Sequence, residues 1–224
     1  IYKLDIDWSL MGKVVKIGLP NGIENGMFQF GLLILQRLTA SFGTVALAAN
    51  AIAKTLTPIS HIASTSFGLI LITIVGQCMG AKNIKHAKMY IWHVLRLNFT
   101  ITAVVNIICI IFASRLVGIY HLSDEASRLA KEIFLIYTGM SIIFYPLAFV
   151  LPQALRGAGD TRFTMVVSFV TMFAVRVGLA YVLGKYMGFG IVGLWIAMTI
   201  EWVIKGGIYL IRYLRGKWQI IRII

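Results

Sequence analysis

The sequence predicts an all-α membrane protein, a bundle of six transmembrane helices. Three observations carry that expectation. Of 224 residues, 59% are apolar and 13% are charged, where an ordinary soluble domain has about 45–50% and about 25%. Mean hydropathy is +0.86. The apolar residues fall into six stretches of about the 20 residues or more that a helix needs to cross a bilayer. No sustained strand alternation interrupts them, as it would in an outer-membrane barrel. Together these exclude a disordered chain, a coiled coil and an ordinary cytosolic enzyme.

The elements follow in order. Residues 1–16 are polar and mixed, and read as a linker and surface strip with no signal peptide. An Ile at position 1 in place of Met is read as the mark of a piece of something longer. The six spans are expected at about 17–38, 45–79, 90–113, 133–155, 163–184 and 188–213, with a basic tail at 214–224. The second is long for one span, and Pro58 inside it predicts a kink. The fourth carries Pro146 and Pro152. The turns between spans are short. Asp160 with Thr161 is a candidate cap for span five, and Ser123 before Asp124 and Glu125 is a helix-start signature.

The +13 net charge is a topology signal rather than a nucleic-acid signal, because the charged fraction is low and the chain is apolar. With the N-terminus inside, thirteen Lys/Arg lie on the cytoplasmic pieces and five (Arg37, Arg115, Arg128, Lys131, Lys185) on the other side. Lys54, Arg176 and Lys205 fall within spans. The asymmetry places both termini in the cytoplasm of a multi-pass protein, and an even number of spans requires the same. Cys78 and Cys109 lie in apolar runs with no CxxC, which suggests neither a metal site nor a disulfide framework. His86 and His93 lack acidic or thiol partners for a metal. No cofactor is expected.

Charges inside a membrane are the candidate functional groups, since each costs at least about 2.5–3.5 kcal/mol near the bilayer centre. Glu24 shares a helix face with Asn21, Asn25 and Phe28, and Gln29 is adjacent. Two readings fit Glu24: an acid that takes up H⁺ or Na⁺ in an aqueous cavity, or an interfacial residue solvated beside Pro20. Asn50, Lys54, Thr57, His61, Ser64 and Gly68 recur at helical spacing on span two. That stripe fits a polar cavity wall facing the Glu24 stripe, and it also fits hydrogen bonds that glue helices together. Lys54 fits an ion pair or snorkelling as well. His61 has no partner visible in the sequence. Glu201 and Lys205 stand four apart in the favourable order for a helical ion pair. Arg176 needs a carboxylate or carbonyls, and Glu201 is the candidate, giving a structural ion pair. No GxSxG, HExxH or phosphate-binding loop is present.

The ordered motifs Gly18-Leu19-Pro20-Asn21-Gly22-Ile23-Glu24-Asn25, Leu47-Ala48-Ala49-Asn50, Val75-Gly76-Gln77-Cys78-Met79-Gly80-Ala81, Leu155-Arg156-Gly157-Ala158-Gly159-Asp160-Thr161 and Val192-Gly193-Leu194-Trp195-Ile196-Ala197 resemble the second lobe of multidrug and toxic compound extrusion (MATE) transporters. The resemblance implies one lobe of a twelve-helix transporter, with the N-terminal six-helix lobe as its partner. It implies cation-coupled antiport, driven by H⁺ or Na⁺, of small organic cations across the plasma membrane by alternating access. The family's first-helix acid falls on Glu24. A second acid carried by some members falls near Tyr145, and the His-Gln of some members falls on Asn50-Ala51. Coupling then rests on Glu24 or on acids of the other lobe. Two other functions are weighed. A lipid-linked oligosaccharide flippase is expected to have a cationic cavity, for which Lys54 and Arg176 are the candidates. An intramembrane lipid enzyme needs clustered acids or histidines near one interface, which the sequence does not show.

Overall fold

The computed structural model describes residues 8–220, except the side chains at positions 9, 10, 13, 14, 16, 17, 20 and 21. Among these residues the chain forms six helical rods: α1 (Trp8–Ala40), α2 (Thr44–Gly80), α3 (Ile84–Gly118), α4 (Asp124–Gly157), α5 (Thr161–Tyr186) and α6 (Gly190–Leu214). A short 3₁₀ turn, Lys217–Ile220, closes the described chain. Rods α2 to α6 are long and apolar enough to cross a membrane. The first rod is long enough, but the polar stripe around Glu24 dilutes its apolar character.

The rods outrun the apolar runs at their ends. α1 already begins at Trp8, within the stretch expected to be linker. The connection expected at 114–132 shrinks because α3 runs to Gly118 and α4 starts at Asp124. Ser123 causes the early start: its hydroxyl accepts from the Ala126 N–H, and Asp124 and Glu125 favour the positive end of the helix dipole. Asn83 caps α3 in the same way through the His86 N–H.

Each interior proline is accommodated differently. α2 remains one helix through Pro58. Pro58 has no N–H for the Lys54 carbonyl, and the Thr57 hydroxyl donates to that carbonyl instead, at 3.2 Å. In α4, the helix widens to π geometry over Pro146–Val150, where the Leu151 N–H reaches back to the Pro146 carbonyl. α5 contains two further π segments, Thr171–Val177 and Ala180–Tyr186. Such wide turns tend to occur at functional positions, and the first contains Arg176.

Close crossings hold the bundle. A Cβ on Gly157 of α4 would lie 2.6 Å from the Ile72 carbonyl oxygen of α2. One on Gly193 of α6 would lie 2.7 Å from the backbone of Leu183 in α5. Small residues at such crossings let helix backbones approach where no water drives them together. A buried polar seam joins α2, α3 and α4. Asn98 donates to Ser64 at 3.0 Å, Ser64 meets Thr102 at 2.8 Å, and Ser141 donates to Asn106 at 2.8 Å. Asn106 also donates to the Ser60 carbonyl at 3.2 Å.

One apolar core gathers α1, α2, α4, α5 and α6 around Tyr137, Trp195 and Trp202. A second lies toward the end carrying the turns at 81–83 and 158–160, around Leu71, Leu155 and Tyr209. A third packs α2, α3 and α4 around Phe134. The first core surrounds the main cavity.

Candidate functional site

Among the described residues, two cavities are bordered by α1. The larger, about 470 Å³, is walled by α1, α2, α4, α5 and α6 and lies in the half of the bundle away from the turns at 81–83 and 158–160. The smaller, about 180 Å³, is walled by α1, α4, α5 and α6 in the other half. Phe28 and Phe149 line both, so two aromatic rings form the partition between them.

The polar wall of the larger cavity is the first part of the α2 stripe. Asn50, Lys54, Thr57 and His61 all line it. The stripe divides beyond His61: Ser64 turns into the seam with α3, and Gly68 packs against the Gln153 side chain. So the cavity reading holds for one half of the stripe and the gluing reading for the other. A helical period identifies residues that share a face, but different neighbours cover that face along a 37-residue helix.

Each polar wall residue has a defined partner. Asn50 Oδ1 accepts from the Trp195 indole N–H at 3.1 Å. Lys54 Nζ donates to Gln36 Oε1 of α1 at 2.8 Å. His61 Nδ1 lies 2.8 Å from the Tyr137 hydroxyl. Its ring stacks on Tyr145, with centroids 5.0 Å apart and planes 20° apart. The partner of His61 is therefore aromatic and comes from α4, which no spacing within α2 could reveal.

Aromatic rings form the opposite wall. Tyr145 stacks on Phe149 at 4.5 Å. Trp202 presents its edge or face, near perpendicular, to Tyr137, Tyr145 and Phe149 at 5.0, 5.6 and 5.7 Å. Perpendicular and offset pairs are the favoured aromatic geometries. Tyr137, Phe149, Trp195 and Trp202 were not among the residues singled out from the sequence. Their signal was present in the seven-residue interval between Trp195 and Trp202, two helical turns on one face.

Arg176 enters the larger cavity from the wide turn of α5. Its residue is 9% exposed, its Nε has no hydrogen-bond partner, and its guanidinium carbon sits 5.7 Å from the Phe28 ring centroid. The expected ion pair with Glu201 is not formed: among the described residues no carboxylate lies within 4 Å of Arg176. Glu201 turns Oε1 to other partners, and its buried Oε2 has no hydrogen-bond partner among the described residues. The fully buried Glu201 carboxylate is held by Lys205 Nζ at 3.6 Å and accepts from the Thr171 hydroxyl at 3.2 Å. Glu201 acts on Arg176 only through space. Lys205 also lies over the Phe149 ring, 4.6 Å from its centroid.

Glu24 belongs to the smaller cavity, together with Asn25. The expected confrontation of the α1 and α2 stripes across one space is thus replaced by two spaces, linked at Phe28. Glu24 Oε1 forms an ion pair and hydrogen bond with Arg156 Nη2 of α4, and Glu24 Oε2 has no hydrogen-bond partner among the described residues. The Glu24 side chain is 10% exposed and that of Arg156 15%. Arg156 is braced by Gln153 Oε1 and Thr164 Oγ1, each at 3.3 Å. Lys205 borders the same space. Gln29 is exposed and lines neither cavity, because it is one residue on from Phe28 and rotated about 100° away. The Asn21 side chain lies outside the described residues.

Asp160 is not the side-chain cap that the sequence suggests. Arg212 of α6 takes both its carboxylate oxygens, at 2.8 and 3.2 Å, and so ties the turn before α5 to the end of α6.

Comparison with known proteins agrees with this arrangement. The family model MatE matches residues 20–182. A probable multidrug resistance protein NorM of Thermotoga maritima is 29% identical over 219 residues, covering 95% of this chain and 46% of that protein. The uncharacterized transporter YisQ of Bacillus subtilis is 26% identical, covering 92% of this chain and 45% of its own length. The chain spans about half the length of the curated relatives it matches. Among solved structures, an outward-facing multidrug resistance MATE family transporter of the MOP superfamily superposes with a TM-score of 0.85 at 19% identity, over 92% of this chain and 46% of that one. A MOP superfamily transporter from Pyrococcus furiosus, described as having a binding pocket of reverse polarity, superposes with a TM-score of 0.83 at 18% identity, over 93% and 44%. At these identities the likeness shows the shared fold.

Proposed function

Because the chain belongs to the MatE family, we propose that it forms one half of a transporter that exports small aromatic amphiphiles by alternating access, in exchange for H⁺ or Na⁺. A second six-helix lobe completes the cavity. Both termini face the cytoplasm of the plasma membrane, as the Lys/Arg asymmetry implies. Several curated relatives bear the name multidrug resistance protein, which supports small drug-like compounds as cargo.

The observation that carries the reading is the Glu24–Arg156 pair beside a cavity. Glu24 keeps one oxygen, Oε2, without a hydrogen-bond partner among the described residues, in a space of about 180 Å³. A proton or Na⁺ reaching that oxygen reduces the charge that Arg156 sees, and so weakens the tie between α1 and α4. Loss of the ion restores the tie. Phe28 is one helical turn from Glu24 and lines both cavities. Movement of α1 at Glu24 therefore moves one half of the aromatic partition below the larger cavity. This connects ion occupancy in one space to access in the other, which is what antiport requires. The wide turn at Pro146–Val150 carries the other half, Phe149. It offers a point where α4 can flex.

The flippase reading has the cationic lining in its favour, namely Lys54 and Arg176. The stacked and perpendicular aromatic rings of the opposite wall favour flat aromatic compounds instead.

The test uses the full-length protein in proteoliposomes with an imposed H⁺ or Na⁺ gradient and a panel of fluorescent aromatic amphiphiles of either charge. Glu24→Gln is expected to abolish gradient-driven efflux while the protein remains folded and inserted. Unchanged efflux overturns the coupling role.

A further inference from the structure

The larger cavity is lined by groups of one charge sign. Among the described residues its lining contains Lys54, His61 and Arg176 and no Asp or Glu. Arg176 is nine-tenths buried, faces that space, and has no carboxylate within 4 Å among the described residues. A buried guanidinium without a partner is expensive, and its cost falls when a ligand supplies the missing acceptor. Glu201, the acid on the neighbouring rod, is tied through Oε1 to Lys205 and Thr171 and does not line the cavity.

Geometry adds a direction. The Phe28 ring lies 5.7 Å from the guanidinium carbon, and the Nε has no hydrogen-bond partner. A guanidinium against an aromatic ring keeps its N–H donors available to a planar acceptor. Lys54 Nζ donates to the neutral Gln36, and an ammonium has three donors. The aromatic wall of Tyr145, Phe149 and Trp202 borders the same space.

Resting on the reading of this space as the cargo cavity, we propose that this half of the transporter recognises an anionic group on an aromatic cargo: a carboxylate received by Arg176, assisted by Lys54, with the ring system held by Tyr145, Phe149 and Trp202. The anionic group is the feature read by this lobe, whatever charge the rest of the cargo carries. An aromatic acid or a zwitterionic aromatic fits, and a purely cationic aromatic does not.

The experiment is equilibrium binding to the purified full-length protein, followed by quenching of tryptophan fluorescence, with two probes of matched shape: 2-naphthoate and 2-naphthylmethylammonium. Binding is read without any ion gradient, so failure of Glu24 coupling leaves this measurement intact. The wild-type protein is expected to bind the naphthoate at least about fivefold more tightly. Arg176→Gln is expected to weaken naphthoate by roughly tenfold or more, the scale of a lost charge-assisted hydrogen bond, and to leave the ammonium unchanged or tighter. Lys54→Gln is expected to weaken naphthoate by about threefold, and Arg176→Lys to restore part of the loss. Equal or tighter binding of the ammonium by the wild type overturns the proposal without recourse to any variant. So does a fully folded Arg176→Gln protein that binds naphthoate as the wild type does. Tighter binding of geranyl diphosphate than of naphthoate overturns the aromatic-acid assignment and returns a lipid diphosphate as the cargo.

Discussion

The Tyr137 hydroxyl of α4 lies 2.8 Å from His61 Nδ1 of α2, and the His61 ring stacks on Tyr145, eight residues further along α4. One helix thus holds the imidazole of another by its edge and by its face. The pair fixes how α2 and α4 meet at the cavity wall.

Tyr137→Phe removes that hydrogen bond and keeps the ring that packs against Trp195 and Trp202. The expected loss is about 1 kcal/mol, near the typical net value of one interhelical hydrogen bond. It is read as a fall in thermal stability of the full-length protein in detergent. His61→Phe, which keeps the stack on Tyr145, should lose a similar amount, and the double variant should lose little more than either. A double loss equal to the sum of the two would show that the residues are not coupled.

Breaking the Glu24–Arg156 pair should be asymmetric. Arg156→Ala leaves the Glu24 carboxylate largely buried with Lys205 as the remaining cation on its cavity, and about 3 kcal/mol or more of destabilisation is expected. Glu24→Gln keeps an acceptor for Arg156 and should cost less. Combining Glu24→Gln with Arg156→Gln should recover part of the Arg156→Ala loss. Denaturation midpoints of the variants measure this, and equal losses for the first two would sink the argument.

Gly157 and Gly193 are sites where no side chain fits. Gly157→Ala drives a methyl toward the Ile72 backbone, and Gly193→Ala drives one into the Leu183–Gly184 backbone. Each is expected to cost about 1–3 kcal/mol, because backbone cannot step aside as a flexible side chain can. Gly139→Ala is the control: it lies exposed in α4 with nothing within 4 Å of the added carbon. That change should be neutral or stabilising by a few tenths of a kcal/mol, from helix propensity. Yield and thermal stability of the folded protein distinguish the two outcomes.

Arg212→Lys is expected to be non-conservative. The guanidinium meets both oxygens of Asp160 and also lies 4.5 Å from the Phe163 ring centroid. An ammonium cannot reproduce the bidentate fork or the planar stacking. A loss of about 1 kcal/mol is expected for Arg212→Lys, and a comparable loss for Asp160→Asn. Protection of backbone amides in the turn at 158–160 against hydrogen exchange should fall in both.

Much of the architecture was legible before any coordinates. Apolar runs long enough to span a bilayer located the six rods, since a backbone in lipid must satisfy its hydrogen bonds within a helix. Capping at Ser123 was legible because it is a local contact. The Glu201–Lys205 pair was legible for the same reason, being set by one turn of one helix. Asp160 was misread as a cap because its true partner, Arg212, arrives from another helix.

By itself the sequence determined which residues share a helix face and which charges are costly enough to need a partner: Glu24, Lys54, Arg176, Glu201 and Lys205. Only the tertiary structure decided the partners. Glu24 meets Arg156 across 132 positions, and His61 meets Tyr137 across 76. Arg176 has no acid within 4 Å among the described residues, and Glu201 is instead tied through Oε1 to Lys205 and Thr171. A helical period shows the direction of a side chain around its own axis. It carries no record of which neighbour fills that direction, and the sign of a cavity depends on all its walls at once.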